Sequence, residues 1–209
     1  MANPKVSILF PDQHAQAAAV LGRAFVDDPL IRAILPPIED SAERARRMGL
    51  MFAVALASQR SSGQPVMGVL NDGRVGAAAI IEQVVKPSTA TSIVLHGLAL
   101  VPALLQAGGL GGMRRAVAAL DVLSRNRPPH PHLYLNVLGV EPILQGRHFG
   151  VALLDWLRDQ TALRSDLIGV YLETATEANV AYYSHVGYRV TGEIHPLGVR
   201  MWQMLQPRG

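Results

Sequence analysis

At 209 residues the chain can close one sizeable core but not two comfortable ones, so a single domain over 1–209 is expected. It is 49% hydrophobic and 17% charged, which excludes a disordered segment, and the absence of cysteine excludes disulfides, zinc thiolate sites and a thiol nucleophile. The net charge of +3 comes from scattered arginines, Lys5 and Lys86 being the only lysines, and gives no basic stripe with interleaved aromatics for nucleic acid. The opening MANPKVSILFPDQ lacks the basic-then-apolar order of a signal peptide. The longest apolar run, Ile93 to Leu105, is broken by His96, Gly97 and Pro102 and falls short of the ~20 residues of a membrane span. A cytoplasmic protein with neither membrane nor nucleic-acid partner is expected, as a monomer or a homodimer.

Lys5 to Phe10 reads as a first strand. Pro11-Asp12 starts a helix with Ala15, Ala18, Ala19, Leu21 and Phe25 on its apolar face, ending near Asp28-Pro29. Ser41 is placed to cap the next helix, with Arg44 to Arg47 outward and Leu50, Met51, Val54 and Ala55 inward. The cluster Arg44, Arg46 and Arg47 follows Glu39, Asp40 and Glu43 and reads as a solvated face. Pro65 to Leu70 and Val75 to Val85 are strands joined by the hairpin signal Asn71-Asp72-Gly73. Thr91 to Ala107 and Met113 to Ser124 are apolar-rich helices hinged at Gly108 to Gly112, and Arg125 to Pro131 is a linker. This helical insertion, over 88–130, either covers the sheet or walls a pocket beside the site. Leu133 to Val140 has the apolar continuity of a buried strand, ended by Pro142. A helix carrying Phe149, Leu153, Leu154 and Leu157 on one face leads to a second short strand, Ile168 to Leu172. A crossover of that length makes the two strands parallel. A further helix holds Asn179 to Tyr183, and Arg189 to His195 and Val199 to Leu205 are the last strands, turning at Pro196-Leu197-Gly198.

The loop QGRHFG therefore lies at the carboxyl end of a strand and the amino end of a helix, where unpartnered N–H groups and the dipole favour an anion. P-x-x-Q-G-R-x-F-G-x-x-L-L over Pro142 to Leu154 is followed, one strand later, by N-V-x-Y-Y-x-x-x-G-Y over Asn179 to Tyr188. Together they resemble the acetyl-CoA signature of the GNAT superfamily of acetyl-CoA-dependent N-acetyltransferases. The wording YLETATEANVAYYSHVGYRVTGEI is similar to the subgroup that includes puromycin N-acetyltransferase. The resemblance is specific over Leu133 to Glu193. It implies an α/β fold (α+β by some schemes), a GNAT-like central mixed sheet flanked by helices. The insertion then falls between the third and fourth strands.

The resemblance also assigns roles. Gln145, Gly146, Arg147, His148, Phe149 and Gly150, with Val151 behind them, would hold the coenzyme diphosphate through loop amides and the Arg147 charge. His148 stands where the family usually has glycine, so its Cβ is expected to crowd the phosphates or reshape the loop. Leu138, Gly139 and Val140 would offer main-chain groups to the coenzyme, and glycine in a strand suits a bulge or a close approach. Tyr183 takes the general-acid position, a phenol of reference pKa ~10 beside a thiolate whose thiol lies at ~8.5. Asn179 would bond the pantetheine arm or cap its helix, and Tyr182 would flank the coenzyme.

For the base, Glu173 is the first candidate, sharing a strand face with Tyr171 near the strand's carboxyl end. A structural carboxylate paired with an arginine or with amides is the equal alternative, and ordered water a third. Glu141 reads as a turn residue, and His96, His130, His132 and His195 as surface or satisfied histidines. Trp156 and Trp202 read as packing. No metal cluster and no G-x-x-x-x-G-K-[ST] loop is written in the chain. The expectation is an acyltransferase of the EC 2.3.1 type, moving acetyl from acetyl-CoA to a primary amine of a small molecule in a ternary complex, with no metal. Its rivals are a catalytically silent CoA-binding regulatory module and an unrelated α/β nucleotide binder.

Overall fold

The computed structural model describes residues 4–85 and 90–209, with the backbone alone along 90–104 and at 107; the side chain of His96 is outside the described residues. In chain order the elements are β1 (Val6–Ile8), α1 (His14–Ala24), α2 (Pro29–Ile34), α3 (Ser41–Ser61), β2 (Met67–Asn71), β3 (Arg74–Val84), α4 (Ala90–Arg125), β4 (His132–Val140), α5 (Phe149–Ala162), β5 (Gly169–Thr174), α6 (Glu177–His185), β6 (Arg189–Ile194) and β7 (Met201–Pro207). The strands form one seven-stranded sheet in the order β1-β2-β3-β4-β5-β7-β6. Only β4 and β5 pair in parallel; the other neighbours are antiparallel. The mixed sheet, its flanking helices and the helical segment between β3 and β4 agree with the sequence reading.

Alternation sorts the strand residues onto two faces. Ala78 and Ile80 pack under α1 and α3 with Leu21, Met48, Phe52 and Leu56. Ala77, Ala79, Leu135 and Leu172 pack under α5 with Leu153, Leu154 and Leu157. Leu153 and Leu157 are wholly buried, each stabilising the fold by roughly 1.5–3 kcal/mol. The β2–β3 hairpin turns on Asp72 (φ 49°) and Gly73 (φ 77°), the two positive φ angles of a type I′ turn. α4 is broken at Gly109 (φ 61°, ψ −167°), inside the expected glycine hinge. Among the described residues no helix is long and apolar enough to cross a membrane.

Four local expectations are corrected. α1 ends at Ala24, and Asp28-Pro29 opens α2 instead of closing the helix before it: the Asp28 carboxylate accepts from the Ile31 N–H at 2.9 Å, and Pro29 takes the first helical position. Asp40, not Ser41, caps α3, its carboxylate accepting from the Ala42 N–H at 2.9 Å. The buried stripe of α3 is Met48, Phe52, Leu56 and Gln59, one step off the predicted face, with Met51 and Ala55 half-buried beside it. Finally, Arg46 and Arg47 pair with Glu43 on the surface, but Arg44 turns inward. It donates to the carbonyls of Val26 (2.8 Å) and Ile38 (2.5 Å), tying the segment around α2 to α3.

Candidate active site

The sheet comes apart between β4 and β5. The two strands pair only at Leu133 with Val170 and Tyr134 with Tyr171, and then diverge. The cause is in the neighbouring ladder: Ile80 faces Val137 and Ile81 faces Leu135, so Asn136 is an extra residue in β4. Such a bulge bends the strand that carries it. Beyond it, the Glu141 N–H donates to the Gly76 carbonyl at 2.8 Å, which sets the phase of the ladder. By alternation, the main-chain groups of Gly139 face β3, while those of Leu138 and Val140 face the gap, where β5 no longer meets them. Two of the three predicted strand residues thus present open backbone. Gly139 does something else. A Cβ there would lie 2.7 Å from Leu21 Cδ2 and 3.0 Å from Ala24 Cβ, so its close approach is to α1 and the bulge sits at Asn136 instead.

The loop after β4 crosses a 3-10 turn at Pro142–Leu144 before α5 begins. Gly146 (φ 77°) and His148 (φ 64°) are both left-handed, with Arg147 between them. His148 thus holds a left-handed conformation at a backbone cost, with its side chain exposed. Of the six loop amides, two are already used: Gln145 N–H donates to the Pro142 carbonyl and Arg147 N–H to that of Leu144, each at 3.3 Å. Those of Gly146, His148, Phe149 and Gly150, and that of Val151 behind them, have no partner among the described residues. They form the amino end of a 14-residue helix, where an anion is favoured. The Phe149 ring is buried in the α5 cluster and anchors the turn.

α6 delivers the aromatic residues. Thr176 caps it, its hydroxyl accepting from the Asn179 N–H at 3.2 Å, so capping is not the task of the Asn179 side chain, which stays exposed at the gap. Tyr182 is exposed, and its hydroxyl lies over Gly150, where a Cβ would stand 3.0 Å from the oxygen. The Tyr183 ring packs against those of Tyr182 and Tyr188, at centroid distances of 5.3 and 5.5 Å. Burial, reinforced by Tyr182, pushes the Tyr183 phenol well above its ordinary pKa, so the group is a proton carrier at any physiological pH. Its hydroxyl has no hydrogen-bond partner among the described residues.

Tyr183 and Asn179 line one end of a cavity of about 760 Å³ that opens along the gap, between the sheet and α2, α3 and α4. Glu173 is on the same cavity wall. Tyr171 Oη donates to Glu173 Oε1 at 2.9 Å, and Gln203 Nε2 donates to Tyr171 Oη at 2.7 Å and to the Asn126 carbonyl at 2.6 Å. Burial raises the Glu173 pKa; hydrogen bonds from Tyr134 and Tyr171 and the Arg127 charge oppose that rise, and Glu82 adds to it. Arg127 stacks on Tyr134, 3.9 Å from the ring centroid, with Nη1 3.5 Å from Glu82 Oε2. Asn136, the bulge residue, donates to Glu82 Oε1 at 2.9 Å. The carboxylate is thus both the candidate base and a partner of an arginine-centred cluster.

Arg127, Tyr134, Glu82 and Asn136 were not singled out from the sequence. Glu82, a carboxylate inside the apolar run of β3, was the one readable signal. Glu141 is a turn residue, as expected: Arg23 Nε donates to its Oε1 at 2.9 Å and holds α1 to the end of β4. None of the described histidines lines the cavity. His132 is buried instead, its Nδ1 bonded to the His130 carbonyl at 2.7 Å. Trp156 and Trp202 pack at the margin of the α5 cluster, Arg200 lying 4.6 Å from the Trp202 ring. Among the described residues no three His, Asp or Glu side chains gather as a metal would require.

No family model matches the chain. Solved structures do resemble it over nearly its whole length. A structure from Corynebacterium glutamicum described as histone acetyltransferase HPA2 and related acetyltransferase is 19% identical, with a TM-score of 0.71, covering 100% of this chain and 98% of that one. A Drosophila melanogaster polyamine N-acetyltransferase is 16% identical, with a TM-score of 0.59, over 97% and 98% of the two chains. A GCN5-related N-acetyltransferase from Rhodopseudomonas palustris is 16% identical, with a TM-score of 0.54, over 99% and 97%. With its sheet parted after the fourth strand and a helix starting at the parting, this chain has the fold of the GCN5-related N-acetyltransferases, the GNAT fold.

Proposed function

We propose that the protein is an N-acetyltransferase that moves an acetyl group from acetyl-CoA to a primary amine of a small molecule, in a ternary complex. The observation that carries this reading is the convergence on one cavity of a half-buried phenol, Tyr183, and a half-buried carboxylate, Glu173, beside strand backbone that β5 no longer pairs. Acetyl-CoA would supply the thioester carbonyl and the sulfur leaving group. The amides of Gly146, His148, Phe149, Gly150 and Val151, with the Arg147 charge, fit a diphosphate; the open groups of Leu138 and Val140 fit an amide-bearing arm, with Asn179 at its side. Tyr182, over Gly150, would flank it.

Glu173 accepts the amine's proton, directly or through water; its raised pKa brings it closer to that task at neutral pH. Tyr183 holds the proton that the departing sulfur takes. With no cysteine in the chain, attack by the amine is direct. The similarity of the Tyr171 to Ile194 stretch to puromycin-acetylating enzymes supports a small-molecule acceptor, and structural neighbours that are polyamine and agmatine acetyltransferases point the same way.

The test is thiol release from acetyl-CoA across an amine panel. Acceptor-stimulated release, with the acetylated amine identified by mass, is expected. Tight CoA binding with no stimulated release across the panel would turn the reading to a CoA-sensing module of the same fold.

A further inference from the structure

The acceptor side of the cavity has two unlike parts. Its floor, on the sheet, carries a polar group, Glu82, Tyr134, Asn136 and Glu173, joined by Arg127 from the segment before β4 and set among apolar strand residues such as Leu135 and Leu172. Its roof, given by three helices, is mostly apolar, with Leu30 and Ile34 from α2, Met51 and Phe52 from α3, and Ala119 and Leu120 from α4, beside the polar Ser58, Gln59 and Ser124. Arg127 and Glu82 lie against one another, so with Glu173 ionised the floor carries one carboxylate charge in excess. Asp28 is the other carboxylate on the wall, and it accepts from the Ile31 N–H at the start of α2. The cavity has a volume of about 760 Å³, and apart from Asp28 at the cap of α2 no described lysine, arginine or carboxylate of α2, α3 or α4 lines it.

From this division we infer that the acceptor is a monoamine carried on a bulky apolar body, an arylalkyl or branched-alkyl amine, and not a polyamine or a peptide. The inference rests on the acetyltransferase reading above and narrows its substrate. One ammonium meets the Glu173 end of the floor, within the same cavity as Tyr183. The body of the molecule then lies under the α2–α3–α4 roof, where each methylene removed from water favours binding. A second ammonium at the far end of a diamine would be driven against Met51, Phe52 and Leu120; of the other carboxylates in the lining, Glu82 is paired with Arg127 and Asp28 already accepts from the Ile31 N–H, and burying a poorly paired charge is opposed. A peptide would bring its own unpaired amides into the same apolar space.

The experiment compares 4-phenylbutylamine, 1,4-diaminobutane, spermidine and a tetrapeptide with a free amino terminus, in two readouts on the full chain. Thiol release with acetyl-CoA gives kcat/KM, and calorimetry of each amine against the protein alone gives binding without chemistry. The phenylalkylamine should exceed the diamine by at least about tenfold in both. A linear series from butylamine to octylamine should gain about fourfold per methylene until the roof is filled. Met51→Glu and Leu120→Glu, each placing a carboxylate in the roof, should shift preference toward the diamine. If either variant fails to fold, the alkyl series decides by itself.

Diamine or peptide equal to or better than the phenylalkylamine overturns the inference and leaves acetyl transfer standing. Binding of the phenylalkylamine with no thiol release for any amine supports the apolar monoamine site and overturns acetyl transfer. No binding and no release from any amine overturns both.

Discussion

Removing one oxygen from Tyr183 separates the chemistry from the packing around it. In Tyr183→Phe the ring stays, and with it the contacts to Tyr182 and Tyr188 at 5.3 and 5.5 Å. The lost hydroxyl has no protein hydrogen-bond partner among the described residues, so its deletion breaks none. Stability should therefore hold within about 0.5 kcal/mol, since the half-buried ring keeps its contacts and no protein hydrogen bond is lost. Turnover should fall by about 10²–10⁴, the usual worth of a positioned acid, which is roughly 2.7–5.5 kcal/mol of barrier. CoA affinity, set by the loop and strand backbone, should change by less than about threefold.

Tyr188→Phe is the matched control. The Tyr188 hydroxyl is buried with no partner, and its ring touches Tyr183 without lining the cavity. That variant should gain about 1 kcal/mol, or roughly 2–4 °C in Tm, and keep its turnover. Stopped-flow thiol release, CoA calorimetry and thermal melts measure all of these. Turnover in Tyr183→Phe within about threefold of the parent would remove the acid role, and so would a loss in Tyr188→Phe of the same size. Because burial raises the Tyr183 phenol, a basic limb in the pH profile below pH ~9 would have to come from another group.

Glu173→Gln should lower kcat/KM by roughly 10²–10⁴ near neutrality, with the deficit shrinking as pH rises and more amine arrives deprotonated; a small loss that does not vary with pH would assign the base to water. In the parent, burial of Glu173 should place the acidic limb of kcat/KM above the ordinary carboxylate value of 4.5. His148→Gly relieves a left-handed conformation worth about 1–2 kcal/mol against about 0.5–1 kcal/mol of added chain entropy, so Tm should rise by a few degrees with CoA affinity retained; a fall in Tm would refute the strain. Burial, with the nearby Arg127 charge, lowers the His132 pKa, so the unfolded chain takes up that proton first. Stability should then decline as pH drops below the usual imidazole value of 6.5; urea midpoints that stay level from pH 7.5 to 5 would count against it.

The parallel crossover from β4 through the loop and α5 to β5 was legible because each part has its own local signature: a continuous apolar run, a glycine loop, a 3.6-residue stripe. The placing of Asn179, Tyr182 and Tyr183 on one short helix followed from their spacing, while the roles given to them rest on the resemblance. The Glu173 cluster was legible in one member only. It joins Glu82 to Asn136 across 54 residues and Gln203 to Asn126 across 77, and those meetings come from sheet register, which no local pattern encodes. Gly139 shows the same limit, since a strand glycine announces that something is close but not whether it is a helix or a ligand. Arg44 looked like part of a solvated run because the carbonyls it serves, on Val26 and Ile38, are free only once the chain around α2 has folded back.

The parting of the sheet has a mechanical consequence. Two plates, β1 to β4 on one side and β5, β7 and β6 on the other, share a seam of two residue pairs and the Ile168 N–H bond to the Pro131 carbonyl. A molecule bonded along the open edge of β4 and held at the head of α5 acts as a splint, carrying load that the seam by itself cannot. The empty protein is then the state most prone to tear there, baring a fresh strand edge on which neighbouring copies can stack. Shelf life and resistance to stirring or freezing should track occupancy of the cleft more closely than they track ionic strength.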